Sequence, residues 1–179
     1  PLRLRVGERT TGKGRLFTDV LTDLSERERA EDALGESNMR LREVLDAATE
    51  VAIIATDVTG TITNFNRGAE RMLGFRASDL IGRTSPVAFH LSTEIEERGR
   101  EMSREAGRTI DGFAVFAERA RVGGHEEREW TYVRKDGSRL TVVLSVTAMK
   151  DSRGKLSGFL GIARDVTEQK RVERLKSDF

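Results

Sequence analysis

The chain has 179 residues, with 31 Lys and Arg against 30 Asp and Glu, and its formal net charge is +1. This balance excludes strong long-range attraction to nucleic acid or to an anionic membrane surface. The absence of cysteine excludes disulfides, thiolate catalysis, sulfur-ligated zinc sites and any flavin photochemistry that needs a cysteine adduct.

The sequence contains no targeting or membrane signal. No apolar run approaches the roughly 18 residues of a membrane span, and the N-terminus has no signal-peptide pattern. The first residue is Pro1 rather than methionine. We therefore expect a cytoplasmic module cut from a longer protein, with no membrane segment of its own.

Residues 1–22 have the pattern of a β-hairpin. Apolar and polar residues alternate from Leu2 to Val6, which is the period of a half-buried strand, and a second strand is predicted to begin near Phe17. The predicted turn, "GERTTGKG", resembles a phosphate-binding loop, but Gly14 stands where that motif needs a magnesium-binding hydroxyl. Because a strand rather than a helix is predicted to follow, we reject a nucleotide site here.

Residues 23–50 are predicted to be a helical linker. The segment is rich in Glu, Arg, Ala and Leu and contains no proline. Leu34, Leu41 and Ala48 recur at intervals of seven, and Val44 occupies the second seam position of the same heptad pattern. Two interpretations remain open: one amphipathic helix packed on its own domain, or a parallel coiled coil that joins two chains in a homodimer.

Residues 51–165 are predicted to form the globular domain. Two short strands flank the tight-turn signal "DVTG", and Asn66 is predicted to cap a short helix after the second strand. Two longer helical segments follow, and three strands close the domain in a meander. The predicted helices cover 92–108 and 111–124, and the predicted strands cover 127–137, 138–151 and 155–165.

The end of the chain repeats its beginning. Apolar alternation from Val142 to Val146, a glycine-bearing turn and a strand near Phe159 correspond to the N-terminal hairpin. Both copies end in Asp-x-[Ser/Thr]-Glu before a charged helical run, which is a helix N-terminal signal. We therefore predict tandem domains, the first represented only by its closing hairpin, and an exit helix over 166–179.

Four motifs in this order resemble the PAS domain family. They are "DVTGTITNFNRGAERMLGF" (57–75), "DLIGR" (79–83), "YVRKDGSR" (132–139) and "GFLGIARDVTE" (158–168). The resemblance implies an α+β fold with a five-stranded antiparallel sheet, short helices on one face and signalling helices at both ends. It also implies a ligand pocket between helices and sheet, dimerisation, and relay of a signal through the flanking helices.

The C-terminal segment "RLKSDF" (174–179) resembles the approach to the phosphoacceptor helices of sensor histidine kinases. This implies an output kinase domain in the same chain and a response regulator as its partner, although cyclase or phosphatase outputs remain alternatives. The fragment itself has no partnered nucleophile, general base or metal-ligand spacing, so we expect no catalytic or metal site in it.

Eight residues are candidates for lining the ligand pocket. A histidine in this helical region holds iron in haem-binding PAS domains, which makes His90 a candidate ligand, but that histidine lies several residues later in the oxygen sensors. Trp130 and Tyr132 share a strand face where aromatic rings could stack on a flavin, although an ordinary aromatic pair explains them equally well. We therefore expect no tightly bound cofactor, and we expect His125 to lie in a solvated loop. The pocket candidates are Phe89, His90, Phe113, Phe116, Trp130, Val142, Leu144 and Leu160.

Three residues at the last strand and exit helix are candidates for signal transmission. Asp165 can accept N–H bonds at the start of the helix together with Thr167, and Arg164 or a neighbouring strand residue can balance its charge. A purely structural cap is the alternative. The resulting hypothesis is a sensory module of a histidine kinase; a ligand-free dimerisation module and a haem or flavin sensor are its rivals.

Overall fold

The computed structural model describes residues 2–11, 14–23, 25–124 and 126–177. The chain consists of two compact units, Pro1–Val44 and Leu45–Phe179. Within the described part of the chain, every helix is too short or too polar to span a membrane. His125, which we predicted to be in a solvated loop, lies outside the described residues.

The first unit contains an antiparallel strand pair and most of a long helix. Strands β1 (Leu2–Thr11) and β2 (Gly14–Asp23) pair with Leu2 opposite Asp23 and Thr11 opposite Gly14. The prediction of a hairpin is confirmed, but its turn is shorter than predicted because residues 7–11 belong to β1. The remaining turn residues, Gly12 and Lys13, lie outside the described residues.

Helix α1 (Ser25–Ala47) covers most of the predicted linker. It ends one residue before Ala48, and Val51 already begins the next strand. The predicted heptad pattern included Ala48, so it extends beyond the C-terminal end of the helix. Beyond the helix, the carbonyl oxygens of Ala48 and Val51 accept hydrogen bonds from Nδ2 of Asn66.

In the described part of the second unit there are five strands and five α-helices, in the predicted order. A single turn of 3-10 helix at Pro86–Phe89 separates the short helices from the longer ones. The elements are β3 (Val51–Thr56), β4 (Ile62–Phe65), α2 (Arg67–Leu73), α3 (Ala77–Leu80), α4 (Ser92–Ala106), α5 (Ala114–Arg121), β5 (Glu127–Val133), β6 (Arg139–Lys150), β7 (Leu156–Asp165) and α6 (Thr167–Ser177).

The five strands form one antiparallel sheet in the order β4-β3-β7-β6-β5. The first and last strands of the unit, β3 and β7, pair in the centre, although about a hundred residues of chain separate them. This confirms the α+β fold and the five-stranded sheet expected from the resemblance.

Tight turns between strands are stabilised by aspartates. Oδ1 of Asp57 accepts the N–H groups of Thr59 and Thr61, and Oδ1 of Asp151 accepts those of Arg153 and Lys155. A glycine with positive φ follows three residues after each aspartate, because that backbone conformation is accessible chiefly to glycine. These local signals explain why the sequence predicted the hairpins correctly.

The hydrophobic core lies between the sheet and the helices. Alternate residues of β3, β5, β6 and β7 face it, among them Ile54 of β3, Tyr132 of β5, Leu144 of β6 and Ala163 of β7. Side chains from α2, α4, α5 and the 3-10 turn cover this face. The opposite face of the sheet carries Ile162, which is 42% exposed.

Candidate functional site

A small cavity lies between the sheet and helix α5. Its volume is about 30 Å³, and its walls come from β3, β5, β6, β7, the 3-10 turn and the start of α5. Most of the wall is apolar and no lining side chain carries a full charge. The lining residues are Ile54, Thr56, Pro86, His90, Phe113, Phe116, Tyr132, Leu144, Val146, Phe159 and Gly161.

The surroundings of His90, in the wall of the cavity, determine its protonation state and its tautomer. It is 5% exposed, and its Nδ1 lies 2.7 Å from the carbonyl oxygen of Pro86. Because a carbonyl only accepts, Nδ1 must carry the proton and donate it. Burial lowers the pKa of His90 to about 4, against a smaller opposing effect of the bond to Pro86, so the ring is neutral near pH 7.

The neutral ring leaves Nε2 of His90 as an unprotonated acceptor. This atom is buried and has no hydrogen-bond partner among the described residues. The hydroxyl of Thr56, on another wall of the cavity, is also buried and has no partner in the described part of the chain. Two polar atoms without partners in one apolar cavity are unusual, because such atoms are normally satisfied by protein or water.

Aromatic rings surround His90. The imidazole centroid lies 4.3 Å from that of Phe116, 4.6 Å from Tyr132 and 5.6 Å from both Phe89 and Trp130. Burial also raises the pKa of Tyr132, so its hydroxyl is neutral. The low polarity of this cluster explains why His90 does not take up a proton.

A second, smaller cavity of about 20 Å³ adjoins the first. Phe116, Leu144 and Val146 line both cavities, so they form the partition between them. The second cavity is also lined by the charged side chains of Arg119, Glu126 and Arg128.

Half of the eight predicted pocket residues line the first cavity: His90, Phe113, Phe116 and Leu144. Phe89 stacks on His90 behind the wall, Trp130 lines the second cavity, and Val142 is fully buried without lining either. Leu160 pairs with Ala55 and Thr147 on the other face of the sheet. Its placement in the pocket was therefore wrong, because β7 alternates and Phe159 is the neighbour that faces the cavity.

Sequence reasoning missed Ile54 and Thr56 of β3. The run "VAIIAT" is apolar at nearly every position, so its period does not indicate which residues face the helices. Thr56 is the polar residue at the end of this otherwise apolar strand, and this feature of the sequence could have indicated that it belongs to the site.

The cavity does not fit a haem or a flavin in this conformation. Typical small-molecule and cofactor sites have volumes of roughly 300–1,000 Å³, and this cavity has about 30 Å³. Among the described residues, no three His, Asp or Glu side chains gather where they could hold a metal ion. The buried polar atoms of the wall that lack a partner among the described residues are the acceptor nitrogen of His90 and the hydroxyl of Thr56, and Tyr132 is a further hydroxyl-bearing residue of the wall.

The junction of β7 and α6 is held by side-chain bonds. Oδ1 of Asp165 accepts both the N–H and the hydroxyl of Thr167, at 2.9 and 2.6 Å. The same hydroxyl oxygen accepts the N–H of Thr141 in β6 at 2.9 Å, and the carbonyl of Thr141 accepts the N–H of Val166. The start of the exit helix is thus bonded to β6 as well as to β7.

Ion pairs near this junction involve residues of the segment after β5, of β5 itself and of α6. Nη2 of Arg134, just after β5, lies 3.8 Å from Oδ2 of Asp165. Arg164 lies opposite Val51 and Val143 in the register of the sheet. Lys170 of α6 forms an ion pair with Glu129 of β5 at 2.5 Å. Arg134 is neither Arg164 nor a residue of a strand adjacent to β7, since β6 lies between β5 and β7, so the ion pair of Asp165 differs from both predicted alternatives.

Near the start of the second unit, the side chain of Asn66 forms hydrogen bonds to α2, to β3 and to residues that precede β3. Its Oδ1 accepts the N–H groups of Ala69 and Ile53, which confirms the predicted cap of α2. Its Nδ2 donates to the carbonyls of Leu45, Ala48 and Val51. The sequence predicted the cap but not the bonds to the residues that precede β3.

The sequence and structure are similar to those of signalling proteins. A family model described as "PAS domain" matches residues 50–168. The chain is 30% identical over 147 residues to "Two-component system protein A" of Emericella nidulans, covering 76% of this chain and 19% of that protein. It is 28% identical over 149 residues to the "C4-dicarboxylate transport sensor protein DctS" of Rhodobacter capsulatus, covering 83% and 20%.

A third relative is the "Sensor protein FixL" of Bradyrhizobium diazoefficiens, 27% identical over 171 residues, with 93% of this chain and 31% of that protein covered. The chain therefore spans less than a third of the length of these curated relatives. Among solved structures, the PAS domain of the HTR-like protein from Haloarcula marismortui has a TM-score of 0.54 and 26% identity, covering 77% of this chain and 98% of that one. A PAS domain from Colwellia psychrerythraea has a TM-score of 0.58 at 22% identity, covering 73% and 97%.

Proposed function

The chain belongs to the PAS domain family, and on this premise we propose that it is the sensory module of a cytoplasmic two-component histidine kinase. Its sequence relatives include a two-component system protein, a transport sensor and a protein named "Methanogenesis regulatory histidine kinase FilI", which is 31% identical over 147 residues. Ligand state in the cavity biases the output domain through the exit helix. The fragment regulates, and the kinase chemistry belongs to the output domain with its response regulator.

The observation that carries this proposal is the bonded junction at Thr167. A change in the spacing of β6 and β7 must move or break the bonds that start α6, because one hydroxyl bonds both to Asp165 at the end of β7 and to Thr141 in β6. Leu144 and Val146 of β6 and Phe159 and Gly161 of β7 line the cavity. Occupancy of the cavity and the start of the helix therefore depend on the same two strands.

The proposed organisation follows the predicted boundaries. Residues 1–22 close a preceding PAS domain, residues 23–50 link the two domains, residues 51–165 sense, and residues 166–179 lead to the kinase. This arrangement is supported by the repeat of the hairpin-and-helix pattern at both ends of the chain.

We further propose that the protein is a parallel homodimer. Leu34, Leu41 and Val44 of α1 are each more than half exposed in the single chain, and Leu34 and Leu41 lie seven residues apart on one seam. Exposed leucines at this spacing favour a partner helix over solvent. A module that only holds two chains in register is the second candidate function, and it rests on this same observation.

The experiment that tests the sensory role compares two aspartates. In the full-length protein, the rate of autophosphorylation from ATP is measured for the wild type, Asp165→Ala and Asp151→Ala. Oδ1 of each aspartate accepts the backbone N–H of the residue two positions later, so we expect both substitutions to have similar local costs. We expect Asp165→Ala to change the rate at least fivefold in either direction and Asp151→Ala to leave it within twofold.

The outcomes separate the candidates. Equal rates in all three proteins would make Asp165 a structural cap and favour the dimerisation module. Failure of the full-length wild type to incorporate phosphate would remove the kinase assignment, leaving the sensory domain to serve a different output.

A further inference from the structure

In the wall of the first cavity, Nε2 of His90 is a buried hydrogen-bond acceptor without a partner among the described residues. A buried polar group without a hydrogen bond carries the full penalty of its lost hydration. Nδ1 of His90 is occupied by Pro86, so Nε2 is the polar atom that this side chain can offer to a molecule in the cavity. The hydroxyl of Thr56 is available on another wall of the cavity.

The walls determine the kind of molecule that can use this acceptor. Among the described residues, no side chain with a full charge lines the first cavity, so a charged ligand would lose its hydration without gaining a counter-ion. The rings of Phe113, Phe116, Tyr132 and Phe159 offer faces and edges to a flat apolar body. An unprotonated imidazole nitrogen requires a donor, either O–H or N–H, from its partner.

The size of the ligand depends on Phe116. In this conformation the cavity of about 30 Å³ has room for about two water molecules, each of which needs roughly 10–15 Å³ of such volume. Phe116 is one wall of both cavities, so a movement of its ring would change the space available in both. A ligand with a six-membered ring would enter only with displacement of this phenyl group, because cavities of about 30 and 20 Å³ are too small for it.

We propose that this cavity binds a small, neutral, single-ring molecule whose one O–H or N–H group donates a hydrogen bond to Nε2 of His90. The ligand displaces the ring of Phe116 towards the second cavity and pushes on β6, which forms part of both walls. The inference rests on the proposed sensory function, since it names the ligand class of that same cavity.

Phenol and toluene are the probes, because they have nearly the same shape and differ in the hydroxyl group. Binding to the 179-residue chain is measured by calorimetric titration, for the wild type and for His90→Phe. Ser85→Ala is the matched control, since Ser85 also has a buried hydroxyl without a partner in the described residues but does not line the cavity. We expect the phenol-to-toluene affinity ratio to fall about tenfold in His90→Phe, equivalent to about 1.4 kcal/mol, and to be unchanged in Ser85→Ala.

A second measurement does not depend on the folding of any variant. The chain has two histidines, so the side-chain ¹⁵N resonances of His90 can be followed with those of His125 as an internal reference. Saturation with phenol should shift the Nε2 resonance of His90 in the direction of a hydrogen-bonded nitrogen, and toluene should not. The resonances of His125 should be unaffected by either probe.

Two results would overturn the inference: no binding of phenol to the wild type, or phenol binding with no effect on Nε2 and the same affinity ratio in His90→Phe. Neither result depends on the kinase, because the measurement uses the sensory chain alone. Conversely, failure of the autophosphorylation experiment with phenol binding intact would overturn the proposed relay and leave the ligand class standing.

Discussion

The side-chain oxygen of Thr167 accepts the backbone N–H of Thr141, 26 residues earlier, at 2.9 Å. The same hydroxyl donates to Asp165 at 2.6 Å. One side chain at the first turn of the exit helix therefore joins it to two strands that line the cavity. The packing of the cavity and the start of the helix are connected by these bonds rather than by sequence proximity alone.

Replacing Thr167 by valine should weaken this junction while keeping the shape of the side chain. We expect a loss of about 1 kcal/mol in the free energy of unfolding, since the lost bonds are solvent-exposed and their backbone partners can turn to water. Thr167→Ser keeps the hydroxyl and should restore most of the loss. Urea unfolding of the three proteins measures both effects, and equal stability of the valine and serine variants would contradict this account.

Asn66 should be among the most sensitive polar positions of the second unit. It is 2% exposed, and its amide makes five hydrogen bonds to backbone groups. Asn66→Ala leaves several of those groups without partners, so we expect a loss of about 3 kcal/mol in the free energy of unfolding. Asn64→Ala, two residues away on β4, is the control and should cost less than about 1 kcal/mol; similar losses for both would show that the bonds of Asn66 contribute little.

The buried imidazole of His90 should make stability depend on pH below neutrality. The pKa of His90 is lowered from 6.5 to about 4 by burial, so above pH 6.5 the ring is neutral in both folded and unfolded chains. As the pH falls from 6.5 to 4 the unfolded chain takes up a proton that the folded chain does not, and stability is lost. The full shift corresponds to about 3 kcal/mol.

The comparison with His90→Phe isolates this contribution from that of the carboxylates. We expect the wild type to lose about 2–3 kcal/mol more than the variant between pH 7 and pH 4.5, as measured by urea unfolding at each pH. Parallel losses in both proteins would mean that His90 is protonated in the folded state within this range.

Gly68 in helix α2 should not tolerate a side chain. A Cβ atom there would lie 2.0 Å from the carbonyl oxygen of Val51 and 2.7 Å from that of Ala48. Because backbone must move to relieve these contacts, Gly68→Ala should lower the free energy of unfolding by about 3 kcal/mol. Gly35→Ala in α1 is the control: nothing lies within 4 Å of its added Cβ, and a better helix former there should not lower stability. Thermal melting of both variants provides the comparison.

Leu41→Glu should weaken association of the chains. Leu41 lies on the proposed seam of α1, where a charge would face its symmetry mate and lose hydration. Met39→Glu is the matched control, because Met39 is 62% exposed against 58% for Leu41 but lies off the seam. Sedimentation over a range of concentrations should show a dimer for the wild type and Met39→Glu, and at least tenfold weaker association for Leu41→Glu. A wild type that stays monomeric at every concentration would rule out the coiled coil.

Much of this fold was predictable because its signals are local. Asn66 ahead of a short apolar-faced helix predicted the cap, and aspartate–glycine turns such as Asp57 to Gly60 predicted the hairpins. Caps and turns involve residues within a few positions of each other, so the residue types themselves indicate the structure. The motifs in their order were sufficient for the family.

The sequence by itself determined the elements, their order and the family, whereas the tertiary structure decided which residues meet. Alternation in β7 placed Phe159 and Leu160 on opposite faces, but only the helices that cover one face decided that Phe159 would line the cavity. Arg98 is buried with two carboxylate partners, and one of them, Glu126, lies 28 residues later with Oε1 2.7 Å from Nη2 of Arg98. The free nitrogen of His90 likewise depends on which groups the fold brings near it. These contacts join residues far apart in the chain, so the local sequence around each residue does not indicate its partner.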